Sequence, residues 1–258
     1  MSRLVSKALT LRLGRKTVLS EINFTMESGS IIAILGPNGA GKSSLLSCLA
    51  GLREPTQGHA ALDGAILTAM PPRRRAQRIG YLPQSGEIVW AVNVETLVGL
   101  GRTPFHGALG SDHSDRLAIS KALEACELSD LAKRDVNELS GGERMRVLIA
   151  RVLAGEPDWL LADEPLAGLD LRHKLDAARL LKSFAKSGKG VVMTLHDLDF
   201  ALRFADRCLV LHRGRILADG PPAAVIGPEI IAEAYGVSAR LIAGRSTPLI
   251  EVLDDPIR

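Results

Sequence analysis

The stretch that most restricts the fold is Gly36-Pro37-Asn38-Gly39-Ala40-Gly41-Lys42-Ser43, set between the apolar run Ile31-Ile32-Ala33-Ile34-Leu35 and Leu45-Leu46-Ser47-Cys48-Leu49-Ala50. The apolar run reads as a buried strand, the glycines as a tight turn and the following segment as a helix. Glycines at 36, 39 and 41 let successive N–H groups turn inward, and the helix adds its positive N-terminal end, so a polyphosphate is cradled there. Lys42 has the reach for β- and γ-phosphates, and the Ser43 hydroxyl suits a Mg²⁺ ion. Gly36, Pro37, Asn38, Gly39, Ala40, Gly41, Lys42, Ser43 and Ser44 are therefore the candidate nucleotide-binding residues. The loop alone does not choose among kinases, GTPases and transport ATPases.

A chain of 258 residues suits one large domain, or one domain with a subdomain, and is long enough to bury a substantial core. Its net charge of +3 is too small and too dispersed to argue for nucleic acid, and the single basic cluster, Arg73-Arg74-Arg75, reads as a solvated helix end. Cys48, Cys126 and Cys208 lie far apart without metal-ligand spacing, which points to a reducing compartment and no disulfide framework. The N-terminal Met1 to Lys7 lacks the apolar core of an export signal. No apolar run approaches the ~20 residues that span a bilayer. Work at a membrane would need spanning helices from another chain.

Residues 4–13 and 18–27 carry roughly alternating apolar residues, with Gly14 between them, and predict an antiparallel pair. A hairpin is expected over 59–69, a short basic helix over 72–78 and a strand from Ile79 to Leu82 that ends at Pro83-Gln84. From about 93 to 135 the periodicity turns helical, interrupted by a Gly/Pro/His-rich loop at 99–113. A helical subdomain is thus expected at about 85–140, inserted between two sections of an α/β core. Strand 158–163, helix 171–185, strand 190–195, helix 197–205 and strand 207–212 then alternate as in a parallel sheet with crossovers. The remainder predicts a short strand, a helix from near Pro228 and a weakly structured tail from Arg245 to Arg258. Residues 1–245 are read as one unit and 246–258 as its tail.

Two further motifs decide the chemistry. Trp159-Leu160-Leu161-Ala162-Asp163-Glu164-Pro165 is an apolar strand ending in adjacent carboxylates. Beside the phosphate loop, Asp163 suits a Mg²⁺ shell and Glu164 suits a general base that polarises water. Leu139-Ser140-Gly141-Gly142-Glu143 precedes an apolar-periodic helix, with Ser140 as N-cap and the glycines leaving the first N–H groups open to an anion. Chemically, this is a second phosphate site.

With these motifs the chain resembles the nucleotide-binding subunit of ATP-binding-cassette (ABC) transporters, whose signature Leu139 to Glu143 matches. The resemblance covers roughly residues 4–235 and implies an α/β phosphate-loop NTPase core with a mainly parallel sheet, an N-terminal antiparallel β subdomain and an inserted helical subdomain. It implies ATP and Mg²⁺ as ligands, Ser43, Gln84 and Asp163 at the metal, and Lys42, Glu164 and His196 in catalysis. His196 follows the strand Val191 to Leu195 where the family has its switch histidine. Ala167-Gly168-Leu169-Asp170 matches the loop that communicates across the dimer.

The family works as a head-to-tail dimer, so Ser140, Gly141, Gly142 and Glu143 of one copy would close over the γ-phosphate held by the other. The residues agree: two anion-binding helix ends in one chain are hard to aim at one phosphate. The family's usual adenine-stacking aromatic is missing near Leu13-Gly14, and Leu13 and Val18 offer only aliphatic contact to the base. Implied partners are permease subunits, a second ATPase copy or close homologue and, through the permease, a substrate-binding protein. The implied place is the cytoplasmic face of the membrane.

Gly99-Leu100-Gly101-Arg102-Thr103-Pro104 resembles a GR-x-P stretch of importer ATPases serving iron–siderophore, haem and cobalamin uptake; read as residues alone it is a glycine-proline loop. The leading expectation is the ATPase of such an importer. An ABC exporter subunit, or a soluble ABC-type ATPase acting on nucleic acid or ribosomes, is the alternative. Against the soluble alternative, Ser43 and Asp163 are 120 residues apart without sustained heptads, and the chain holds one cassette. A phosphate-loop kinase leaves Ser140 to Glu143 and His196 unexplained.

Overall fold

The computed structural model describes residues 1–84, 91–106, 112–244 and 247–253. Strands β1 (Arg3–Leu13) and β2 (Lys16–Glu27) pair antiparallel, as their alternation predicts. Next come β3 (Ile31–Leu35), α1 (Lys42–Leu49), β4 (Gln57–Leu62), β5 (Ala65–Ile66), α2 (Pro72–Arg78) and β6 (Ile79–Leu82). Strands β4 and β5 form the expected hairpin, and β4 adds to the free edge of β1, giving the antiparallel order β2-β1-β4-β5.

Helices α3 (Val94–Gly99), α4 (His113–Ala125) and α5 (Gly141–Ala154) pack against one another. Asn93 caps α3 by accepting the Thr96 N–H at 2.8 Å, and Asp112 with Asp115 forms a reciprocal capping box at α4. Then follow β7 (Trp159–Ala162), α6 (Leu171–Lys186), β8 (Gly190–Thr194), α7 (Leu198–Phe204), β9 (Arg207–His212), β10 (Arg215–Gly220), α8 (Pro222–Val225), α9 (Pro228–Tyr235), β11 (Ser238–Ile242) and β12 (Leu249–Leu253). The central sheet has the order β10-β9-β3-β8-β7-β6; only β10 runs antiparallel to its neighbour.

Because side chains alternate across a strand, this sheet separates two cores. Ile31, Ala33, Leu160, Ala162, Val191 and Met193 join the helical side. Ile32, Ile34, Trp159, Leu161, Val192 and Leu209 join the side of β1, β2 and α1. Burial on both faces is why these strands read as unbroken apolar runs.

Two expectations change. The segment from Arg245 is not uniformly weakly structured: Leu249–Leu253 pairs antiparallel with β11, and the Ile250 N–H donates to Asp199 Oδ1 at 3.0 Å. Within 99–113, Leu100–Arg102 forms a 3₁₀ turn and His113 already opens α4. Residues 85–90, 107–111, 245–246 and 254–258, on which parts of the expected insertion, loop and tail fall, lie outside the described residues.

The GR-x-P stretch is a packing joint. Arg102 is 4% exposed; its Nε donates to Asp115 Oδ1 at 2.8 Å, and its Nη1 donates to Ala154 O and Glu156 Oε2, each at 3.0 Å. The Pro104 carbonyl accepts Arg73 Nε at 2.7 Å and Gln77 Nε2 at 2.9 Å. Arg73, read from sequence as part of a solvated cluster, therefore ties α2 to the stretch after α3. A Cβ at Gly101 would lie 1.9 Å from the Arg151 carbonyl oxygen, whereas one at Gly99 meets only Ile119 Cδ1 at 3.4 Å. Gly101→Ala is accordingly expected to lower the unfolding free energy by about 1–3 kcal/mol in urea titration, and Gly99→Ala to leave it nearly unchanged.

Candidate functional site

Parallel order brings the carboxyl ends of β3, β8, β7 and β6 to one edge of the sheet, where open α/β folds bind ligands. From β3 the chain turns through Gly36, Gly39 and Gly41, all at positive φ, into α1. Lys42 is buried, and its Nζ donates to the carbonyls of Gly36 at 2.8 Å and Pro37 at 3.1 Å. Burial holds its pKa below the ordinary lysine value, against the opposing pull of Glu164 and Asp163. The Gly36 N–H donates to the Tyr235 hydroxyl at 2.9 Å.

At the end of β7, Asp163 is 5% exposed, and its Oδ1 accepts the Ser43 hydroxyl at 3.0 Å and the Thr194 hydroxyl at 2.6 Å. Glu164 takes a left-handed φ of 49°, and its N–H donates to Thr194 Oγ1 at 2.8 Å. Its carboxylate is held from two sides. Gln84 Nε2 donates to Oε2 at 2.7 Å, and His196 Nε2 pairs with Oε1. A cleft of about 380 Å³ opens beside them, lined by Lys16, Val18, Asn38, Gly39, Gly41, Lys42, Ser43, Ser44, Gln84 and Glu164. A carboxylate fixed at both oxygens beside a lysine and a glycine loop can orient water towards a bound phosphate.

Not every expected residue gathers there. Leu13 is 42% exposed and does not line the cleft; Lys16 does. Ser140, Gly141, Gly142, Glu143 and Asp170 are also absent from its walls. Ser140 caps α5 in a capping box: its N–H donates to Glu143 Oε2 at 2.8 Å, its hydroxyl donates to the same oxygen at 2.7 Å, and the Glu143 N–H donates back at 3.3 Å. These Ser140 donors hold the Glu143 carboxyl below its ordinary pKa. Gly141 and Gly142, the first helical residues, keep N–H groups without an intrahelical acceptor. Asp170 caps α6 by accepting the His173 N–H at 2.9 Å and pairs with His173 Nδ1 at 2.8 Å; both bonds depress its pKa.

Sequence reasoning missed Lys16, His173, Thr194 and Tyr235. A hydroxyl ending the apolar run Val191-Val192-Met193 was a readable signal for Thr194. Nothing local announced Tyr235, whose partner lies 199 residues away. The His173 ring explains Gly142 as well, because a Cβ there would lie 2.3 Å from its Cδ2.

A sheet edge of this kind defines a phosphate-loop nucleotide-binding protein. Within that class the chain belongs to the ABC transporter family, whose sequence model matches residues 19–167, and it is one of the family's ATPases. The hemin import ATP-binding protein of Nocardia farcinica is 41% identical over 242 residues, covering 94% of this chain and 80% of the relative. Its counterpart in Rhodopseudomonas palustris is 40% identical, with 98% and 96% covered. A metal-chelate type ABC transporter in an inward-facing conformation aligns with a TM-score of 0.85 at 26% identity, over 100% of this chain and 98% of that one. A bacterial ABC transporter cassette solved as a dimer aligns at 0.76 and 28% identity, over 85% and 98%. Among the described residues no helix is long and apolar enough to cross a membrane.

Two measurements check this geometry. Gly142→Ala and His173→Ala should couple in a double-mutant cycle of unfolding free energies by about 0.5–3 kcal/mol, with His173→Ala relieving the added methyl. Burial pushes the Tyr235 phenol from 10.0 up to about 12. A raised folded value means the neutral phenol's stabilisation is complete below the unfolded value and lost as pH rises through the folded one. Stability should therefore fall more steeply above pH about 10 in the wild type than in Tyr235→Phe, measured by urea titration at successive pH values.

Proposed function

We propose that this chain is the energy-coupling subunit of a membrane importer for haem or a related metal chelate, and that two copies hydrolyse ATP at shared sites. One observation carries the dimer: the cleft holding the phosphate loop contains none of Ser140, Gly141 and Gly142, and the N–H groups of Gly141 and Gly142, which lack an intrahelical acceptor, suit a γ-phosphate. A second copy, facing head to tail, supplies them. The cargo follows from the hemin import relatives and agrees with the GR-x-P stretch.

In this reading Lys42 exchanges the Gly36 and Pro37 carbonyls for β- and γ-phosphate oxygens, and Glu164 accepts a proton from the attacking water. His196 and Gln84 hold the two oxygens of Glu164 and so set its direction. Lys16 and Val18 border the space open to the nucleobase.

Ser43 and Asp163 already share a hydrogen bond, and with the Gln84 amide oxygen they form a hard-oxygen set that fits Mg²⁺. Among the described residues no cluster of three or more His, Cys, Asp or Glu side chains could hold a metal ion. Phosphate oxygens and water would complete such a shell, and the ion would neutralise phosphate charge.

The spanning helices belong to permease subunits, which hold this chain at the cytoplasmic face of the membrane and link it to a substrate-binding protein. A groove of about 450 Å³ between α2, β6 and α5, bordered by the exposed Leu52 and Leu100, is the surface we assign to the permease.

Glu164→Gln should retain ATP affinity, lower turnover by about 10²-fold or more and accumulate an ATP-bound dimer in size-exclusion chromatography. Near-normal turnover would remove Glu164 as the base. Lys42→Ala should weaken equilibrium ATP binding itself.

A further inference from the structure

We infer that Thr194 is a positioning residue for hydrolysis: its hydroxyl fixes the backbone from which Glu164 projects and, with the same oxygen, anchors Asp163. The inference rests on the reading of Glu164 as general base. Thr194 is the last residue of β8 and is fully buried, on the same sheet face as the core residue Val192. An apolar side chain would suit that place, and a hydroxyl buried there must find partners.

The one Thr194 proton goes to Asp163 Oδ1 at 2.6 Å, and a lone pair of Thr194 Oγ1 accepts the Glu164 N–H at 2.8 Å. Thr194 thus reads two adjacent residues at once, one through its side chain and the other through its backbone. The branched Cβ restricts χ1 and keeps that aim without a further support.

The backbone bond matters because Glu164 stands at a φ of 49°, a left-handed conformation that a non-glycine residue holds only under constraint from its surroundings. The end of strand β8 and the turn that follows it supply the constraint twice. Thr194 holds the Glu164 N–H, and two residues on, His196 holds carboxylate Oε1. Removing the first grip lets the main chain relax away from the left-handed region and swings the carboxylate, although every group that touches its oxygens remains. Asp163 would keep the Ser43 hydroxyl at 3.0 Å as its remaining donor. The consequence falls on the direction of Glu164 more than on the phosphate cradle, which Thr194 does not touch.

The test compares Thr194→Val, which keeps the shape and removes the hydroxyl, with Thr194→Ser, which keeps the hydroxyl, in the full-length chain. Thr194→Val is expected to lower kcat for ATP by about 10- to 100-fold while the Kd for ATP stays within about threefold. Thr194→Ser is expected to regain most of that loss. Hydrogen exchange at the Glu164 amide should be at least about tenfold faster in Thr194→Val and near wild type in Thr194→Ser. Retained kcat in Thr194→Val, an equal loss in both variants, or a fall in nucleotide affinity that matches the fall in kcat would each overturn the inference. Glu164→Gln runs beside them. If it still turns over, the reading of the base fails; if it is dead while Thr194→Val remains active, only the role of Thr194 fails.

Discussion

One oxygen of one buried carboxylate ties the machinery together. Asp163 Oδ1 stands at the end of β7 and accepts hydroxyl protons from Ser43, at the start of α1, and from Thr194, at the end of β8. Three segments far apart in sequence meet within hydrogen-bond distance of a group that is almost out of contact with water. In that setting each bond is electrostatically strong, and an unpaired partner would be costly. The depth of the site and the order of the sheet are consequently one property: only with β8 between β3 and β7 can Thr194 face the carboxylates while Ser43 reaches them from the loop.

The sheet can take that order because its strands are apolar on both faces. One set of side chains meets the helices and the other meets the antiparallel layer built from β1, β2 and β4. Polar residues cluster where strands end, so the apolar cores stop where the reactive edge begins. The Arg102 ion pair binds the helical group α3, α4 and α5 together, and Arg73 joins that group to the body by crossing from α2 to the carbonyls of Pro104, Phe105 and His106. Motion between the body and the helical group would bear first on the Arg73 bonds.

Much of this was legible in advance because its signals are local. The run from Ile31 to Leu35 followed by glycines, and the apolar strand ending in Asp163-Glu164, announce strand, turn and acid within a few residues. The strand β12 was harder to see: a five-residue edge strand pairs with β11 across the short link from Gly244 to Pro248, and its burial is partial, so periodicity is weak. Bonds such as Gly36 to Tyr235, or contacts such as Gly142 to His173, depend on tertiary placement that no window of sequence contains. The basic triplet does sit at a helix end with Arg73 and Arg74 exposed, but the loop carbonyls that Arg73 clamps could not be read from sequence for the same reason. The GR-x-P stretch was visible as a motif, but its physical cause, a close backbone approach at Gly101 and a buried guanidinium at Arg102, emerged only with its neighbours in place.

The Tyr235 hydroxyl gives the phosphate loop a foothold in α9, and β8 and β9, which flank β3, also lie beyond the matched residues 19–167. A fragment cut to the matched span would keep the glycine turn and both acidic residues yet lose the strands on either side of the turn and the phenol beneath it. The smallest autonomous piece of this ATPase must accordingly extend past residue 235, and reporter fusions or split versions of the chain should be joined beyond that point.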